Sequence, residues 1–77
     1  MKISYNTLDN LVMKLRKKLD LHITFNDDTG RSIEFEAEKQ ITEFGALGMR
    51  HRISFKKLAV LSEAEVEQVL TDRFSKL

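Results

Sequence analysis

The 77-residue chain has no cysteine, no proline and no tryptophan, and only three glycines. Without cysteine there is no disulfide, no thiolate metal site and no cysteine nucleophile. Without proline, and with so little glycine, there is no linker, repeat or low-complexity tract. The chain therefore reads as one domain over 1–77, near the lower size limit for a self-sufficient core. The longest apolar run is Leu58-Ala59-Val60-Leu61, far short of a membrane span or a signal-peptide core. A cytoplasmic protein without a membrane partner is the expectation. An excess of one charge is also missing: 13 basic and 12 acidic groups give a net +1, well below typical nucleic-acid domains.

The charges that are present fall in blocks. Residues 1–20 carry +3, residues 21–47 carry −4, residues 48–61 carry +4 with no acid, and residues 62–77 carry −2. Such a layout predicts an electrically two-sided molecule once folded.

The clearest local pattern runs from Leu21 to Ala37. Leu21, Ile23 and Phe25 alternate with His22, Thr24 and Asn26, and Ile33, Phe35 and Ala37 alternate with Ser32, Glu34 and Glu36. Both halves have the period of a half-buried strand. Between them, Asp27-Asp28-Thr29-Gly30 fits a type I turn followed by a left-handed glycine in a G1 bulge. That loop predicts an antiparallel hairpin pairing Phe25 with Ile33, Ile23 with Phe35 and Leu21 with Ala37. On the other face it pairs His22 with Glu36 and Thr24 with Glu34.

Around the hairpin, Leu8, Leu11, Val12, Leu15 and Leu19 recur at helical spacing. They predict a helix over roughly 7–19, N-capped by Asn6 or Thr7. Met1 to Tyr5 alternates and suits a short edge strand or an extended lead-in. Residues 38–44 fit either a continuation of the second strand or a connecting turn, and Gly45 and Gly48 mark a bend. Met49, His51, Ile53 and Phe55 alternate with Arg50, Arg52, Ser54 and Lys56 and predict a third strand, although 54–60 also has helical spacing. Ser62-Glu63-Ala64-Glu65 is a capping box opening a helix over 62–76 with Val66, Val69, Leu70, Phe74 and Leu77 inward. The fold class expected is α+β: N-terminal helix, antiparallel hairpin plus third strand, and C-terminal helix, with the helices on one sheet face.

The search for chemistry yields no catalytic residue, cofactor motif or metal ligand set, so no enzyme is expected. His22 opposite Glu36 has no third group to orient it and reads as an exposed cross-strand pair. His51 lies on the apolar phase of its strand and reads as a packed histidine. Gly45-Ala46-Leu47-Gly48 has the spacing of a backbone-clamping GxxG loop, but its apolar middle reads as a plain turn.

Two partner classes remain. The first is another protein, with the chain acting as an inhibitor or adaptor through Arg50, Arg52, Lys56, His22, Glu34 and Glu36. Its size would suit a phage- or mobile-element-encoded regulator. The second is nucleic acid, held by Lys14, Lys17, Lys18, Arg50, Arg52 and Lys57 if the two basic blocks meet on one surface. Glu34, Glu36 and Glu38 on the neighbouring strand are placed to neutralise Arg50 and Arg52 instead. An exposed sheet edge also offers a route to a homodimer.

Overall fold

A computed structural model describes residues 4–77, Asp28 by its backbone alone. The elements in order are α1 (Tyr5–Leu19), β1 (His22–Asp28), β2 (Ser32–Thr42), β3 (Gly45–Ser54), α2 (Phe55–Val60) and α3 (Glu63–Phe74). The fold is α+β. An antiparallel sheet in the order β1-β2-β3 carries the helices on the face that bears Ile23, Ile33, Phe35, Ala37 and Ile53.

Helix α1 begins earlier than the apolar spacing predicts. Ser4 is the N-cap, its hydroxyl accepting from the Thr7 amide at 3.1 Å. Tyr5, Asn6 and Thr7 are thus inside the helix, so the edge strand or extended lead-in expected over 1–5 does not reach Tyr5, and its residues 1–3 lie outside the described residues. Leu8, Leu11, Val12 and Leu15 are buried as one stripe. Asp20 closes the helix in the left-handed conformation (φ 54°), which a short polar side chain tolerates. At the other end Tyr5 stacks on Phe25 of β1, with ring centroids 6.2 Å apart.

The β1–β2 hairpin forms, but in a different register. Phe25 pairs with Phe35, Ile23 with Ala37, Thr24 with Glu36 and His22 with Glu38, a slip of two residues from the pairing read off the sequence. Thr29 and Gly30 both have positive φ, 62° and 72°, rather than the single left-handed glycine of a G1 bulge, and they lie in a three-residue loop, 29–31, between the paired Asp28 and Ser32. The Gly30 amide donates to Asp27 Oδ1 at 2.9 Å and ties the turn down. Because side chains alternate with period two, an even slip leaves every residue on its expected face.

The third strand is longer than expected at its start and shorter at its end. It begins at Gly45, so Gly45 and Gly48 lie in extended backbone and the bend falls at residues 43–44. Residues 38–42 belong to β2, with a bulge between Gln40 and Thr42. The strand stops at Ser54, whose side chain accepts from the Lys57 amide at 3.1 Å and starts α2. Phe55 is therefore the first helical residue, and Leu58 is the one that α2 buries. The last helix, α3, opens on the expected capping box. Glu65 N donates to Ser62 Oγ at 3.1 Å, and Ser62 N donates to Glu65 Oε1 at 3.0 Å. Val66, Leu70 and Phe74 complete a core in which Phe35 is fully enclosed.

Candidate protein-docking surface

The register fixes what stands beside what. On the helix-free sheet face the cross-strand rows are Asn26–Glu34–Arg52, Thr24–Glu36–Arg50 and His22–Glu38–Gly48. Two of these rows form an ionic ladder. Arg50 Nε lies 3.3 Å from Glu36 Oε2 and 3.7 Å from Glu34 Oε1, and Arg52 Nη2 donates to Glu34 Oε2 at 3.1 Å. Both guanidinium groups are solvent-exposed, so each pair contributes about 0.2–1 kcal/mol. Four of the six residues expected at a protein contact, Arg50, Arg52, Glu34 and Glu36, therefore converge. The other two do not. His22 is on β1 opposite Glu38, the carboxylate expected to meet it being held by Arg50 instead, and Lys56 is on α2, off the sheet.

The basic residues expected to hold nucleic acid are split across the molecule. Lys14, Lys17 and Lys18 are on α1, on the helix side of the sheet, whereas Arg50 and Arg52 point from the open side. Lys14 and Lys18 also approach Glu67 of α3 at 3.7 and 3.8 Å, which ties the two helices together. Lys57 sits on α2, beside His51 on the helix side of β3 rather than on the open face with the arginines.

Reading Gly45 to Gly48 as a bend misses a group of exposed apolar side chains. Past the row Ala37–Met49, β2 and β3 run on as a two-stranded arm, residues 38–48, in which every residue is exposed. At ~3.3 Å per residue, an eleven-residue strand is about 36 Å long, close to the 39 Å long axis of the molecule. Phe44 at the tip is 92% exposed, and Ile41 and Leu47 are exposed behind it. The tip is held by the Phe44 amide donating to Thr42 Oγ1 at 3.2 Å and by the Gln40 side-chain amide donating to the Thr42 carbonyl. The signal available in the sequence is the continuation of the apolar phase through Leu47, two residues before Met49.

The two sheet edges differ. Along β1, Arg16 Nε of α1 donates to the Ile23 carbonyl at 2.6 Å, and Tyr5 covers Phe25. Among the described residues, β3 has a strand neighbour only in β2. Its helix-side flank holds the half-buried His51, with Arg73 of α3 and Lys57 of α2 near enough for their charges to act on it. Burial, then the positive charges of Arg73 and Lys57, hold the imidazole below its ordinary pKa. Among the described residues neither Lys57 nor Arg73 is in an ion pair, and no group of three or more His, Asp or Glu is arranged to hold a metal ion. Among the described residues no helix is long and apolar enough to cross a membrane. Comparison with protein-family models, curated proteins and solved structures found no match.

Proposed function

We propose that the chain is a small non-enzymatic adaptor or inhibitor that docks on another protein through its β2–β3 arm. The observation that carries this reading is the placement of Ile41, Phe44 and Leu47 on a projecting hairpin, where the core makes no use of them. Exposed apolar side chains grouped at one place on a small domain are the ordinary mark of a contact surface, and aromatic residues dominate the energy of such contacts. The arginine–glutamate ladder at the root of the arm, with Arg50, Arg52, Glu34 and Glu36, would supply the polar rim around that apolar centre.

The test compares affinity purification from source cells of the native chain, a Phe44→Ser variant and a Lys17→Ser variant, with proteins identified by mass spectrometry and bound nucleic acid quantified. A protein captured by the native chain and by Lys17→Ser, and lost with Phe44→Ser while circular dichroism stays unchanged, is the expected result. Capture that persists with Phe44→Ser, or recovery of nucleic acid alone, would refute the reading.

A further inference from the structure

We infer that the occupant of the β3 edge is an extended acidic peptide segment of the partner, added as a fourth strand beside residues 46–52. This deepens the docking reading above and rests on it. Strand addition supplies affinity through backbone hydrogen bonds and specificity through alternate side chains, so the edge and its two flanks must all suit the guest.

Three observations agree. First, the edges are unequal: β1 is overlaid by Arg16 and Tyr5 of α1, whereas β3 has no strand neighbour besides β2 among the described residues. Second, residues 46–52 of β3 carry basic groups and no acid. Arg50 and Arg52 stand on the open face, and Lys57 and Arg73 stand beside His51 on the helix face. On the open face neighbouring carboxylates offset part of this charge, and on the helix face they are turned elsewhere. Glu34 and Glu36 lie one strand further in and are engaged by Arg50 and Arg52, Glu67 is turned to Lys14 and Lys18, and Asp72 accepts from Gln68 at 2.7 Å. Third, Leu47 and Met49 continue the helix-side phase of β3 toward the arm, so apolar contact is available next to the positive charge.

A guest strand facing these groups needs carboxylates on the phase that meets Arg50 and Arg52. On the other phase it needs an apolar residue against Leu47 or Met49, followed by a carboxylate toward Lys57 and Arg73. Like-charged guests are rejected by the same surface, which makes the recognition selective as well as attractive.

The experiment titrates the 15N-labelled chain with three probes: a blocked heptapeptide Glu-Val-Glu-Val-Glu-Glu-Glu, which carries a carboxylate on both strand phases, its counterpart with lysine for each glutamate, and a short oligothymidine. Expected are amide shifts and slowed exchange along residues 46–52 with the glutamate peptide, none with the lysine peptide, and at least a tenfold loss of affinity in the double variant Lys57→Glu, Arg73→Glu. The same double variant should begin to bind the lysine peptide, a gain that a merely unfolded protein would not show. No response to millimolar glutamate peptide, shifts along β1 instead, or tighter binding of oligothymidine to the same residues would overturn the inference. So would a dimer of the chain alone sealed through β3, since a second copy would then be the occupant. If the glutamate peptide fails while Phe44→Ser still abolishes protein capture, the strand-addition inference falls and the docking arm stands.

Discussion

Thr29 and Gly30 are adjacent, share the left-handed conformation, and should respond to substitution with opposite signs. A β-branched residue at φ 62° is unusual, and for residues with a Cβ the left-handed region costs roughly 1–2 kcal/mol. Asparagine occupies that region far more readily. Replacing Thr29 by asparagine should therefore stabilise the chain by about 0.5–1 kcal/mol. At Gly30 (φ 72°) a new Cβ would meet nothing within 4 Å. The cost of Gly30→Ala is then confined to the backbone, about 1 kcal/mol. For a domain of this size, 1 kcal/mol moves the melting temperature by about 4–8 °C. Thermal unfolding followed by circular dichroism should place Thr29→Asn a few degrees above the native chain and Gly30→Ala a similar amount below it. Two shifts of the same sign would refute the turn geometry, because a general surface effect cannot separate neighbouring residues in this way.

Other perturbations probe the core, the last helix and His51. Phe35 is fully enclosed, so Phe35→Leu should cost about 1–2 kcal/mol and lower the urea midpoint, whereas Phe44→Ser should leave that midpoint almost unmoved. Ser62→Ala removes half of the capping box and should cost about 1 kcal/mol; an unchanged midpoint would mean that the cap contributes nothing. Because burial and the charges of Arg73 and Lys57 lower the His51 pKa, the folded chain holds that proton less readily than the unfolded one. This contribution to stability is complete above the ordinary histidine pKa of 6.5 and is lost as pH falls through it toward the lower folded value. A His51→Gln variant should show a shallower decline over that range in denaturation measured at stepped pH, and an identical decline would exclude His51 as its source.

Much of this architecture is legible in the sequence, and the misreadings share one cause. Apolar periodicity places the buried face of α1, of the hairpin and of α3 correctly, because burial imposes the period directly. It does not fix where elements start or how strands are offset. Ser4, Asn6 and Thr7 are all good N-caps, and only the packing of Tyr5 on Phe25 shows which one is used. Three-residue loops over 28–30 and over 29–31 suit the same sequence, and they differ by two in register. The arm is the larger miss. Gly45 and Gly48 have the usual look of chain breakers, yet in a solvated strand a glycine needs only its backbone hydrogen bonds. The turn at residues 43–44 lacks the Asn-Gly signature that would have announced it. Of the contact residues nominated from charge alone, those on β2 and β3 come together because pairing forces them to, while His22 and Lys56 sit on other elements.

Arg16 reaching the Ile23 carbonyl has a consequence for assembly. A ribbon that grows without limit needs every molecule to offer two addable margins, one for the neighbour before it and one for the neighbour after. Here one margin is stoppered by the molecule's own side chain, so a chain that accepts a guest on the other side cannot pass the contact onward. If the open flank takes a guest as proposed, complexes of fixed count, and not fibres, are the expected product.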